Sequence, residues 1–289
     1  MTQKVRKAVI PVAGYGTRFL PATKAQPKEM LPVIDKPGVQ YAVEEAAAAG
    51  ITDIILVTGS SKRAIEDHFD VNADLEDRLR EGRKRELLRS ISGISKLANF
   101  IYVRQQRPLG SGHAVLMARA AVGNEPFVML YPDDLLLSST NSVKQLLDVY
   151  EEYAAPVMAV IRVPKKEIPK YGIIDNRHIK GPVHEVLKII EKPTIAQAPS
   201  NLASIKGFVL PPEIFPFLKR VRPGKGGELF LADAVELYNK HHSVFACELK
   251  GELFDLGSKL GWLKANVALG LKHETIGAPL KQFLRTMLR

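Results

Sequence analysis

Through its first 135 residues this chain repeats one pattern, and that pattern decides most of what it can fold into. Short, almost unbroken apolar runs alternate with stretches of helical spacing. KAVIPV (residues 7–12), IILVTG (54–59), FIYVRQ (100–105) and PFVMLY (126–131) read as strands. Helices are predicted over residues 39–50, where alanines favour the helix and Gly50 stands at the C-terminal cap position, and over 62–69, 73–90 and 112–121. Strands with no polar face must be covered on both sides, so the pattern predicts an α/β fold with a mostly parallel sheet between helices. Ligands of such sheets bind beyond the carboxyl ends of the strands. AGYGTR, Gln105 and Pro132-Asp133-Asp134 each directly follow a predicted strand and are expected at one edge.

The second half is less regular. Short strands are predicted at 157–163, 171–174, 186–191, 206–210 and 244–249, with helices over 229–240 and 260–271. No linker-like tract or internal repeat divides the 289 residues, so a mixed extension of the same sheet with a helical tail is expected, as one domain over 1–289. The single cysteine, Cys247, allows no intrachain disulfide, and no apolar stretch has the length of a membrane span or a secretory leader. A cytoplasmic protein is expected. The net charge of +10 suits anionic partners, but its densest run, RLREGRKRELLR (78–89), has acids between the bases and no aromatics to stack on nucleotides. It reads as a solvated helix face, with no nucleic-acid or membrane partner.

The glycine-rich segment carries the first chemistry. Phe19 stands where a dinucleotide fingerprint needs its third glycine, and the GK[ST] ending of a P-loop is missing. What remains still suits phosphate. Gly14 and Gly16 let the backbone approach a ligand closely, while Arg18 and Lys28 place two cations beside it. A tight turn with exposed cations is the plainer account of the same spacing.

The run from Ala13 to Pro37, AGYGTRFLPATKAQPKEMLPVIDKP, closely resembles the signature of bacterial UTP–glucose-1-phosphate uridylyltransferases. Further blocks resemble that family in the same order: VRQ with GSGHAV (103–115), PDD (132–134), YGIID (171–175), EKP (191–193), APSNLASIKGFVL (198–210) and FDLGSKLGW (254–262). The resemblance implies a Rossmann-like nucleotidyltransferase fold, with a nucleotide-binding half over about 1–135 and a sugar-binding half with the helical tail over about 136–289. It implies in-line attack of glucose-1-phosphate on the α-phosphate of UTP, with Mg²⁺ as cofactor. By motif, Ala13, Gly14 and Gly16 fall to the nucleotide, with Gln105 and Gly110 on the uracil edge. Arg18 and Lys28 fall to the triphosphate, and Glu191 and Lys192 to the sugar and its phosphate. Gly172 and Gly207 fall to the sugar-pocket backbone, and Asp133 and Asp255 to the metal. It also implies a homo-oligomer, dimer or tetramer, built through the segment 260–289.

Several residues keep simpler readings. Asp134 is either a further ligand or a cap. His113 is expected to brace the base-binding loop, His241 and His242 to lie at the surface, and Trp262 to pack a core. The run ELFLAD (228–233) departs from the family, which carries glutamine and threonine at positions 230 and 232, where this chain has Phe230 and Ala232. Glucose-1-phosphate is expected to remain the best acceptor. Two alternatives stand beside this reading: a non-catalytic relative that binds nucleotide sugar, and a sister enzyme such as a thymidylyltransferase.

Overall fold

The computed structural model describes residues 3–288; Met1, Thr2 and Arg289, at the ends of the predicted domain and helical tail, lie outside the described residues. The first half contains β1 (Lys7–Pro11), a tight hairpin of β2 (Pro32–Val33) and β3 (Lys36–Pro37), and α1 (Gly38–Ala48). Then follow β4 (Asp53–Thr58), α2 (Arg63–Phe69), α3 (Ala73–Glu81), α4 (Arg85–Ser92) and β5 (Asn99–Arg104). α5 (Ser111–Met117), α6 (Arg119–Val122) and β6 (Phe127–Leu130) complete it. The four apolar runs form parallel neighbours in the order β5-β4-β1-β6, with Ala8 opposite both Ile54 and Val128. The helix predicted over 73–90 is two helices, because Gly82 caps α3 and Arg83 adopts φ 53°, turning the chain before α4. Neither buries a residue, and Arg80 pairs with Glu76 at 2.9 Å, so the basic run is a solvated face.

The second half contains β7 (Asp134–Leu137), α7 (Ser142–Tyr153), β8 (Val157–Arg162), β9 (Gly172–Lys180), β10 (Val183–Glu191) and β11 (Leu202–Leu210). It continues through α8 (Ile214–Leu218), α9 (Leu231–Asn239), β12 (Phe245–Glu248), β13 (Glu252–Asp255), α10 (Lys259–Gly270) and α11 (Gly277–Met287). β11 extends the sheet antiparallel to β6, giving nine strands in the order β5-β4-β1-β6-β11-β8-β12-β10-β9. The sheet is mixed, as expected, with parallel pairing from β5 to β6 and between β8 and β12. The strands predicted at 171–174 and 186–191 are the ends of a longer hairpin that turns at Gly181, φ 50°.

Helices α1, α2 and α7 close one face of the sheet, and α5, α8 and α9 close the other. A third cluster, Val33, Leu135, Phe254, Leu256 and Ala265, packs where α10 meets the small sheet of β7 and β13, with Trp262 against it as expected. That small sheet sets Asp255 opposite Asp134, next to the end of β6.

Candidate active site

Past β1 the chain folds back on itself. Gly16 takes φ 66°, its carbonyl accepts the Thr23 hydroxyl at 2.7 Å, and a Cβ there would stand 3.1 Å from Lys28 Cβ. The glycine thus lets the loop close over Lys28. Beneath it Glu29 and Lys62 form a buried pair at 2.8 Å, tying the loop to the entrance of α2. Burial pushes the Glu29 carboxyl up, although Lys28 and Lys62 pull against it.

Beyond the carboxyl ends of β1, β5 and β6 lies a cavity of about 240 Å³, lined among others by Ala13, Gly14, Lys28, Gln105, Gly110 and Asp133. The three segments expected at one edge therefore meet there. Gln105 is buried; its amide nitrogen lies 3.3 Å from the Gly110 carbonyl and 2.8 Å from His113 Nδ1. Burial lowers the His113 pKa, which suits a neutral ring accepting that amide and bracing the loop. Gly110 adopts φ 95°, and a Cβ there would meet the Leu229 carbonyl at 2.6 Å, so the loop seats against the strand of chain leading into α9.

A second cavity of about 420 Å³ is lined by Arg18, Gly172, Glu191, Lys192, Phe230 and Ala232, among others. It shares Ser111, Tyr131, Asp133 and Glu228 with the first, so the two form one cleft. A Cβ at Gly172 would stand 2.9 Å from Glu191 Oε2, which makes room for that carboxylate. Among the described residues, Gly16 and Gly207 line neither cavity. Gly207 belongs to the seam of the sheet, where a Cβ would stand 2.0 Å from the Met129 carbonyl of β6.

At the centre, Lys28 Nζ lies 2.6 Å from Asp133 Oδ2. Burial opposes both charges, but Asp133 with Glu29 holds Lys28 above its ordinary value, and Lys28 with a backbone hydrogen bond and Arg18 holds Asp133 below its own. A single point, where a Cβ on Gly257 would stand, is 2.8 Å from Asp133 Oδ2, 2.9 Å from Asp255 Oδ1 and 3.5 Å from Arg18 Nη1. Both carboxylates thus approach the Gly257 backbone, whose N–H donates to Asp255 Oδ1 at 2.9 Å. Neighbouring carboxylates are the donors a hard divalent cation takes, and phosphate oxygens and water would complete its coordination. No group of three or more metal-ligating side chains occurs among the described residues.

Asp134 is engaged elsewhere: its Oδ2 accepts the Lys206 backbone N–H at 2.7 Å. Burial, then repulsion from Asp133, pushes its carboxyl up to about 7. Lys206 is buried, donates to the Asp134 carbonyl at 2.9 Å and pairs with Glu45 at 2.7 Å. Sequence reasoning gave no role to Glu45 or Tyr131, and none to Lys206 or Glu228 although both lie in runs compared with the family, APSNLASIKGFVL and ELFLAD. Ser111 did carry a signal, between the two glycines of GSG (110–112).

A glycine-rich loop, two cations and two carboxylates about one cleft at a sheet edge define a phosphate-handling site of the nucleotidyltransferase class. Residues 7–270 match the family described as Nucleotidyl transferase. The chain is 47% identical to the UTP–glucose-1-phosphate uridylyltransferase YngB of Bacillus subtilis, over 100% of this chain and 97% of that protein. It is 47% identical to UTP–glucose-1-phosphate uridylyltransferase 1 of Staphylococcus saprophyticus, over 98% and 99% of the two chains. A UTP-bound UGPase from Acinetobacter baumannii superimposes with TM-score 0.88 at 40% identity, covering 97% of this chain and 99% of that one. A UDP-glucose pyrophosphorylase complexed with UDP-glucose superimposes with TM-score 0.85 at 40% identity, covering 93% and 100%. This chain belongs to the UTP–glucose-1-phosphate uridylyltransferase family.

Proposed function

We propose that this chain joins UTP and glucose-1-phosphate into UDP-glucose and releases pyrophosphate, with Mg²⁺ as cofactor. The observation that carries this reading is the single cleft whose nucleotide-side and sugar-side cavities meet at Asp133. Ala13, Gly14 and Gly16 shape the loop that receives the nucleotide, and Gln105 and Gly110 read the uracil edge. Glu191 takes sugar hydroxyls and Lys192 the sugar phosphate, whose oxygen attacks the α-phosphorus in line as pyrophosphate leaves. Gly172 lines the sugar pocket, and Gly207 holds the strand behind it. The attacking oxygen is already anionic, so no general base is needed, and His113 is engaged instead by Gln105. Catalysis then rests on alignment and on cations set against developing charge. Arg18 and Lys28 supply two of those cations. A Mg²⁺ ion held by Asp133 and Asp255 would supply further charge neutralisation to the triphosphate.

The activity belongs to one domain over the whole chain. We place it in a cytoplasmic homo-oligomer, dimer or tetramer, joined through the apolar surface of α10 and α11. A reducing compartment suits a sole cysteine that is buried, with its thiol pushed up to about 11.

The test is pyrophosphate release from nucleoside triphosphates paired with sugar-1-phosphates. UTP with glucose-1-phosphate should give the strongest signal, abolished by a chelator. Equal or better turnover with thymidine triphosphate, or with galactose-1-phosphate, would overturn the substrate assignment. UDP-glucose binding without turnover would identify a non-catalytic relative.

A further inference from the structure

Lys192 is a long cation on an exposed stretch, yet its position is fixed from three sides. Its backbone takes φ 46° and donates to the Tyr171 carbonyl at 3.1 Å. Its ammonium lies 3.1 Å from Glu191 Oε1 and 5.1 Å from the centre of the Phe230 ring. A cation within about 6 Å of an aromatic centroid is attracted by the negative face of the ring.

The ring is itself held. Phe230 is the extended residue before α9, and Leu231 N–H donates to Ser111 Oγ at 3.2 Å. A Cβ on Gly224 would stand 3.0 Å from Phe230 Cε2, so that glycine opens the space the ring fills. Glutamine or leucine at position 230 could occupy the volume but would offer no such face to the ammonium. Both Phe230 and Lys192 line the sugar-side cavity.

Resting on the sugar-phosphate site assigned above, we propose that Phe230 is a positioning residue: its ring holds the Lys192 ammonium in place for the phosphate of the incoming sugar phosphate. Preorganising a flexible lysine lowers the cost of ordering it when the anion binds. The effect belongs in the affinity for sugar phosphate and leaves UTP affinity and the chemical step alone.

The experiment is a double-mutant cycle in the full-length protein, read as separate kcat and KM values with both substrates varied and thermal melting as a folding check. Phe230→Leu should raise KM for glucose-1-phosphate about three- to thirty-fold, the range spanned by cation–π contacts. Both kcat and KM for UTP should stay within about twofold of parental under the same expectation. Phe230→Tyr keeps the ring and should restore the parental KM. In a Lys192→Met background, Phe230→Leu should add nothing further, since coupled residues are non-additive. If Phe230→Leu does not fold, Phe230→Met takes its place in each arm. An unchanged KM, a loss confined to kcat, or the same factor with and without Lys192 would overturn the assignment while leaving the uridylyltransferase reading intact. A folded parental protein silent with UTP and glucose-1-phosphate would overturn both.

Discussion

Asp133 stands between a cation, Lys28, and a second carboxylate, Asp255. Its Oδ2 takes the Lys28 ammonium at 2.6 Å and also approaches the Gly257 backbone, as Asp255 Oδ1 does. Replacing Asp133 with asparagine keeps the shape and removes the charge that both a metal ion and Lys28 require. Turnover should fall by about 100-fold or more, because the charge neutralisation of a bound cation contributes several kcal/mol to such a transition state. The melting temperature should move by only a few degrees. Pyrophosphate release across a Mg²⁺ titration checks this, and near-parental rates at low Mg²⁺ would remove Asp133 from the metal site. The residues of this centre were legible because they lie in continuous runs, from Ala13 to Pro37 and in PDD and FDLG. Their pairing was not: Lys28 and Asp133 are 105 positions apart, and nothing local in either segment specifies the partner. Asp134 shows the same limit, since a strand-end aspartate reads as ligand or cap until Lys206 is seen across from it.

Between elements, one buried network stands out. Lys206 of β11 pairs with Glu45 of α1, and Glu45 also accepts from the backbone N–H and hydroxyl of Ser142 at the start of α7. Burial alone would raise the Glu45 carboxyl, but Lys206 and the Ser142 donors outweigh it and hold it below its ordinary value. A carboxyl depressed by folding stabilises above its unfolded pKa, and that contribution fades as pH falls through the folded value. Glu45→Gln should therefore cost about 3 kcal/mol at neutral pH, where it leaves Lys206 buried without a counter-charge. The gap in melting temperature should narrow as pH drops below the folded pKa, where the parental carboxyl is also neutral. A gap that is constant with pH in melting scans would show that lost packing, and not lost charge, is responsible. The elements themselves were unevenly legible. Strands covered on both faces announced themselves, while Asp175–Lys180 of β9 did not, because its polar, exposed residues read as loop. α7 was missed despite a helix signal at its start, the Asn141 side chain accepting the Lys144 N–H at 2.9 Å.

At the scale of the molecule, the parallel half of the sheet meets the mixed half at β6 and β11, and that seam carries the cleft. The alternation of the first half dictated its side of the seam. The other side depends on long-range pairing that no local period records, such as Ala203 of β11 against Ile173 of β9. The surface is equally uneven. Of the seventeen large apolar residues exposed among the described residues, eight fall within Leu260 to Leu288. On α10, Leu260, Leu263 and Val267 recur at helical spacing, and on α11 Phe283 and Met287 do the same. Apolar surface gathered on one pair of helices is what an interface between copies requires, whereas scattered exposure carries no such meaning. Leu263 is 52% and Phe283 57% exposed, so charge placed at either leaves the fold of one subunit largely undisturbed. Leu263→Glu with Phe283→Glu should shift the protein to a smaller species in sedimentation or light scattering, while the melting curve keeps a single cooperative transition. Pyrophosphate release per subunit should persist, since none of the residues lining the two cavities of the cleft lies on α10 or α11. A mass unchanged by the double substitution would move the interface away from these helices, and a parental protein already monomeric at assay concentration would remove the oligomer altogether.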